Sequence, residues 1–238
     1  MDRQAREVLN ILHSHQIDYW LDSGTLLGLM RDGSLMAHDE DIDLGVWDRE
    51  EPKVRGLFPL MQKAGYILYT ASYNGEYFKY NFIPKDKSLR KVDINIFREF
   101  GKYAWCPMYY FKVNPKKKNS GRLESAFLSG IKGGTRNLWK RVTARFPFHV
   151  EINAFPWRPF LNIGTWWIPV DYFQKTCYND DLGAVIPKNW EDYLKFRYDR
   201  WQEQPAEWVF YRDDGGIRHI QPPQVPGQTP GVSRRLSR

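Results

Sequence analysis

The stretch HDEDIDLGV, residues 38–46, sets four carboxylates (Asp39, Glu40, Asp41 and Asp43) within five positions and then runs into apolar residues. Carboxylates that close repel one another and force at least one pKa upward. A chain can carry them to the edge of a core only on one face of an element whose other face is apolar. A strand over 41–47 supplies that arrangement, because successive side chains alternate. Asp41 and Asp43 then share one face, while Ile42, Leu44 and Val46 take the other. Two residues of strand span about 6.5 Å, so both carboxylates can lean on cations set between them. Asp39 and Glu40 read as outer-layer or solvent-facing residues.

The same alternation recurs in KVDINIF, residues 91–97, with Val92, Ile94 and Ile96 on one face and Asp93 on the other. If the two strands are neighbours, Asp93 completes a triad of carboxylates above one buried sheet face. Such hard oxygen ligands suit Mg2+ or Mn2+, not zinc. Two ions about 3.5–4 Å apart clamp the attacking and leaving oxygens of an in-line phosphoryl displacement. Upstream, DSGTLLG places Ser23, Gly24 and Thr25 at a turn that opens a helix, where backbone N–H groups and the helix dipole favour phosphate. Arg31 follows one to two turns later and can pair a phosphate oxygen. His38 reads as a general base or as a structural hydrogen-bond partner.

Helical spacing of Ala5, Val8, Leu9 and Leu12 predicts a helix over 3–15. IDYWLD (17–22) reads as a short strand, TLLGLMRDG as a helix stopped at Gly33, and 51–65 as a helix interrupted near Pro59. YILYTAS and EYFKYNFI flank Asn74-Gly75, a strong hairpin signal. Beyond residue 100 the pattern loosens: 114–137 reads as a loop with a helix around 122–131, and WWIPVDYF as a strand. The segment 189–201 is a helix with Trp190, Tyr193, Leu194 and Arg197 on one face. Tyr193 and Arg197 either line a donor or acceptor pocket or pack back on the core, with Arg197 in a salt bridge. From 219 the chain is Pro-rich, polar and basic, the composition of a disordered tail.

Hydrophobic residues make up 42% of the 238 positions and charged ones 26%, which suits one soluble domain. Aromatics reach 16%, enough for an aromatic-rich core or for rings that stack on a sugar or base. Cys106 and Cys177 form no CxxC or Cys/His cluster, so neither a disulfide framework nor structural zinc is expected and a reducing compartment fits. No signal peptide or apolar run of about 18 residues is present, so a cytoplasmic protein is expected. The net charge of +7 is uneven. Residues 111–150 hold ten Lys/Arg against Glu124 alone, or +9, leaving 7 − 9 = −2 elsewhere. The basic stretch 112–145 is either a solvated face or the contact for an anionic partner.

The order of small-residue turn, DxD strand and later hydrophobic-Asp-hydrophobic strand is the nucleotidyltransferase-fold pattern. YWLDSGTLLGLMRDGSLMAHDEDIDLGV closely resembles the opening signature of the LicD family, which includes the fukutin-related proteins. IPKNWEDYLKFRYDRWQEQP resembles its second signature, so the likeness spans about residues 15–206. The resemblance implies an α+β fold: a nucleotidyltransferase-like small mixed β-sheet flanked by helices, with an aromatic-rich basic C-terminal lobe. It would form one domain over 1–218 (acidic core 15–100, basic lobe 101–218), with the tail at 219–238. It also implies a transferase that moves phosphocholine or an alditol phosphate from a CDP-linked donor to a glycan or lipid-linked glycan.

Carried over by position, Asp41, Asp43 and Asp93 bind two Mg2+ or Mn2+ ions, and Asp93 takes the acceptor proton. Ser23, Gly24 and Thr25 line the donor phosphates. Glu40 stands where the family commonly has Asp, but faces away from Asp41 and Asp43. No membrane anchor or zinc-binding cysteine set is seen, and peripheral contact with the inner face of an anionic membrane is compatible with the basic stretch. Two rival readings stand beside this one. A nucleotidyltransferase acting on RNA or a small molecule would use the basic stretch on a nucleic-acid backbone, although no recognised RNA-binding motif is present. A catalytically silent binding protein of the same fold would have no reason to hold all three acids.

Overall fold

A computed structural model describes residues 2–73, 76–110, 149–151, 162–205 and 207–218. The basic stretch 112–145, the helix expected around 122–131 and the tail 219–238 lie outside them. Helix α1 (Arg3–Ser14) starts where the Asp2 carboxylate accepts from the Ala5 N–H at 2.8 Å, and buries Ala5, Val8, Leu9 and Leu12. Strand β1 (Tyr19–Leu21) leads into helix α2 (Ser23–Asp32), which ends at Gly33 in the left-handed conformation that glycine adopts without strain. Strand β2 (Asp41–Trp47) follows. Helices α3 (Glu51–Gly56) and α4 (Phe58–Lys63) are the interrupted pair, each with Pro in its first turn.

Strands β3 (Tyr66–Tyr73) and β4 (Glu76–Pro84) pair antiparallel with Tyr73 opposite Glu76, as the Asn74-Gly75 signal requires. Strand β5 (Lys91–Phe100) pairs parallel with β2 on one side and antiparallel with β4 on the other. Further strands are β6 (Tyr103–Tyr110), β7 (His149–Glu151), β8 (Asn162–Pro169), β9 (Thr176–Asn179), β10 (Ala184–Pro187) and β11 (Ile217–Arg218). Short helices α5 (Asp171–Gln174) and α7 (Phe210–Asp213) flank α6 (Trp190–Tyr198). The strand expected over WWIPVDYF therefore stops at Pro169, which cannot donate to a ladder, and the chain turns into α5.

The α+β class holds, but the sheet is not small. Nine strands form one mixed sheet among the described residues, and β9 and β10 form a separate hairpin. The reason is the length of β5. Its first half sits between β2 and β4, and Arg98–Phe100 then pair with β6, which recruits β8 and β11. One continuous sheet thus joins the acidic strands to the C-terminal strands. One face buries Ile42, Leu44, Val46, Val92, Ile94, Ile96, Phe78, Tyr80 and Phe82. The other is polar where β2, β4 and β5 meet, and next to that area it is sealed by rings. Trp20 stacks on Phe173 at 4.5 Å, and Phe97 lies 5.2 Å from Phe173 and 6.2 Å from Trp166. These aromatics are core. No described helix is long and apolar enough to cross a membrane.

Candidate active site

Asp43 and Asp93 are direct partners in the parallel β2–β5 ladder, with Asp41 beside Lys91 and Gly45 beside Asn95. Parallel neighbours share a face, so the adjacency expected of Asp41, Asp43 and Asp93 is present. The carboxylates whose oxygens approach within 4.8 Å of one another, however, are Asp39, Asp41 and Asp43. Asp39 is therefore part of the cluster and not a bystander, while Glu40 is exposed as expected. The cause is that extended pairing continues past the strand: the Lys91 N–H donates to the Glu40 carbonyl at 2.9 Å. Asp39 thus keeps the same parity as Asp41 and Asp43. Arg90 pins this approach, donating to the carbonyls of Asp39 (3.1 Å) and Met36 (3.2 Å) and to Asp2.

Two lysines that the sequence reading does not single out balance the acids. Lys79 of β4 pairs with Asp93 Oδ2 at 2.8 Å, and Lys91 reaches Asp41 Oδ2 at 3.5 Å. Burial pushes the Lys79 ammonium down, but Asp93, Asp43 and Asp41 outweigh it and hold its pKa above the ordinary value. Asp43 is pushed well above the carboxylate range by burial, then by the charges of Asp41, Asp93 and Asp39. Burial and a hydrogen bond shared with Asp41 raise Asp39 to about 8. For Asp41, burial acts upward but is outweighed by that bond and by Lys91 and Lys79, so it lies below its usual value.

The turn upstream is built into the site. The Thr25 hydroxyl accepts from the Asp43 N–H at 2.8 Å, and the Asp43 carbonyl accepts from the Asp22 N–H at 3.1 Å. A Cβ on Gly24 would stand 2.4 Å from Asp39 Oδ2, so glycine lets that carboxylate approach the helix terminus. Ser23 has φ 46°, a left-handed conformation that costs an L-residue about 1–2 kcal/mol. Its N–H donates to Asp22 Oδ1 at 2.8 Å.

Tyr193 and Arg197 are fully buried behind this corner. The Tyr193 hydroxyl donates to Asp22 Oδ1, and Arg197 donates to the Tyr193 oxygen (2.5 Å), Asp22 (3.5 Å), Ser23 Oγ (3.3 Å) and both oxygens of Asp214. Of the two readings of these residues, the salt-bridged helix is the one found. Arg31 lies against the acidic loop through Met36 Sδ (3.2 Å), with its guanidinium on Asp32. His38 is exposed.

The donor set fits a hard divalent cation. It consists of carboxylate oxygens, and Asp93 Oδ1 is buried without a partner although Oδ2 is paired. A pH dependence follows. With folded pKa values above the unfolded value near 4, the protons on Asp39 and Asp43 stabilise the metal-free fold fully below that value. The Asp39 contribution is lost as pH rises through about 8, and that of Asp43 as pH rises through its own raised pKa. In EDTA, unfolding free energy should fall by about 1–2 kcal/mol between pH 5.5 and 8.5, after discounting for partial exposure. Saturating Mg2+ should flatten the slope. Urea midpoints at three pH values check this, and midpoints that climb with pH in EDTA would contradict it.

Residues 16–129 match the family model described as LicD/FKTN/FKRP, nucleotidyltransferase domain. An uncharacterised protein of Rickettsia prowazekii is 31% identical over 70 residues, covering 29% of this chain and 26% of its own length. The ribitol 5-phosphate transferase FKRP of Homo sapiens and that of Mus musculus are each 42% identical over 43 residues, 18% of this chain and 9% of theirs. The chain thus spans about a quarter or less of these relatives. Residues 16–129, which hold Asp39, Asp41, Asp43 and Asp93, are thus similar to the LicD/FKTN/FKRP nucleotidyltransferase domain.

Proposed function

We propose that the protein is a metal-dependent transferase that moves a phosphorylated small alcohol from a CDP-activated donor to a glycan acceptor, on a nucleotidyltransferase-like fold. The observation that carries this reading is the in-register Asp43–Asp93 pair with Asp39 and Asp41 on the same face. It is supported by likeness to a relative named a ribitol 5-phosphate transferase. Asp39, Asp41, Asp43 and Asp93 hold Mg2+ or Mn2+, which when bound neutralises phosphate charge and polarises the phosphoryl group.

The protein's own part is positioning. Thr25 and Asp22 fix the Asp43 backbone from both sides. The first turn of α2, Ser23 to Thr25, takes a donor phosphate, with Arg31 nearby. Lys79 occupies Asp93 Oδ2, leaving Oδ1 to receive the proton of the attacking hydroxyl. Tyr193 and Arg197 hold the corner that carries Ser23. On charge alone, the stretch 112–145 meets an anionic glycan or membrane surface at the cytoplasmic face.

The test is CMP release from CDP-ribitol, CDP-glycerol and CDP-choline by the purified protein with Mg2+ and phosphate-rich glycans, alongside donor binding by thermal shift. EDTA should abolish release. The absence of both binding and release with every CDP-alcohol would end the proposal.

A further inference from the structure

Seven buried side-chain polar atoms among the described residues have no hydrogen-bond partner, and six of them lie on the acidic face. They are Trp20 Nε1, Asp22 Oδ2, Asn81 Oδ1, Asp93 Oδ1, and both Oδ1 and Nδ2 of Asn95; the seventh is Trp167 Nε1. Register places them. Asp93 stands between Asp43 and Asn81. The next row along, about 6.5 Å away, runs Trp20, Gly45, Asn95, Lys79 across β1, β2, β5 and β4. A Cβ on Gly45 would stand 2.3 Å from Trp20 Nε1, which sets the indole on this same face directly above the glycine.

Buried polar groups are nearly always bonded, so atoms left open together, beside reacting carboxylates, point to something that binds there. A cation accounts for the open carboxylate oxygen of Asp93, and Asp22 belongs to the corner held by Arg197 and Tyr193. A cation cannot account for Asn95 Nδ2 or Trp20 Nε1, which are donors. Two neutral donors beside the acceptors Asn95 Oδ1 and Asn81 Oδ1 call for a group that both accepts and donates, which is a hydroxyl. The row itself contains no carboxylate to hold a cationic alcohol, and its one charge, Lys79, is committed to Asp93. The Trp20 ring is taken up by Phe173 at 4.5 Å and by Gly45, so it offers no face to a quaternary ammonium. Asn95 is 1% exposed and Trp20 1%, so a hydroxyl held here is shielded from competing water.

We propose that Asn95, Asn81 and Trp20 Nε1 read the hydroxyls of the transferred alcohol, so that the donor carries an uncharged polyol phosphate and not phosphocholine. This rests on the reading of the chain as a CDP-donor transferase.

The test is calorimetric binding, with Mg2+, of CDP-ribitol, CDP-glycerol, CDP-choline and CMP to the wild-type chain, Asn95→Leu and Asn81→Ala. The wild type should prefer CDP-ribitol to CDP-choline by about tenfold or more. Asn95→Leu should lose about tenfold or more toward CDP-ribitol while CMP affinity holds. Its ligand-free melting temperature should be unchanged or higher, because an unpartnered amide has been removed. Equal binding of CDP-choline by the wild type would overturn the assignment. So would an Asn95→Leu variant that binds CDP-ribitol normally, which would mean that only buried water meets these atoms. Should Asn95→Leu not fold, Asn81→Ala decides by the same comparison. Absence of binding by every CDP compound removes the proposed function and this assignment together. Binding without discrimination removes the polyol row alone.

Discussion

Asp43→Asn should melt above the wild-type chain in EDTA at pH 8 and yet turn over donor at least about 10³-fold more slowly, some 4 kcal/mol of barrier. Both effects have one cause. Asp43 is pressed by burial and by Asp41, Asp93 and Asp39, so its ionised form strains the metal-free fold. Asparagine keeps the shape and the backbone bonds to Thr25 and Asp22 but removes that charge. Each kcal/mol regained raises the melting temperature by about 2–4 °C in a chain of this size, and the slope of stability between pH 5.5 and 8.5 should flatten. The same substitution weakens the cation site, so added Mg2+ should raise the variant's melting temperature less than the wild type's. Calorimetry with and without Mg2+, beside CMP release, checks both. A variant that melts lower in EDTA would mean the carboxylate is a structural anchor, and one that keeps turnover would remove Asp43 from the chemistry.

Alternation makes the acidic face legible from the residues alone. Ile42, Leu44, Val46 against Asp41 and Asp43, and Val92, Ile94, Ile96 against Asp93, each require a strand with one apolar and one acidic face, and both are found. The same parity, carried back two residues, puts Asp39 with Asp41 and Asp43. That signal is present in the chain, but the stretch leading into the strand gives no local sign that the ladder runs on to Glu40.

Lys79 is hidden for another reason. It alternates with Phe78 and Tyr80, so its face is readable, but its distance from Asp93 depends on the β4–β5 register, a pairing between separate strands. At Ser23–Thr25 the local reading of turn and helix is sound. What Thr25 and Gly24 touch is set by β2 and the loop that leads into it, beyond the reach of a propensity argument. The nine-stranded sheet escapes because β6 and β8 are strands with near-continuous apolar or aromatic runs. Such runs lack the period that marks a half-buried strand.

The largest loss of stability should come from Arg197→Met. Arg197 and Asp214 are both buried, joined by Nε to both Asp214 oxygens (2.7 and 2.9 Å) and by Nη2 to Oδ2 at 2.5 Å. Asp214 in turn accepts from the Gly216 N–H and Trp166 Nε1. Burial alone would push the Arg197 pKa down, but Asp214 leads the neighbours that keep it above its ordinary range. Methionine fills much of the volume while leaving Asp214 and Asp22 buried without their cation, which costs about 3–5 kcal/mol. Arg197→Lys should recover part of this, since the charge stays and the planar fork is lost. The double variant Arg197→Met with Asp214→Leu should be more stable than Arg197→Met alone, because no lone carboxylate remains opposite the arginine's place. Activity separates structure from site. Arg197 and Tyr193 hold Asp22, and Asp22 caps Ser23 in its left-handed conformation beside Asp43. The double variant should therefore regain stability without regaining turnover. Full turnover in that variant would show that the corner holds its shape without Arg197.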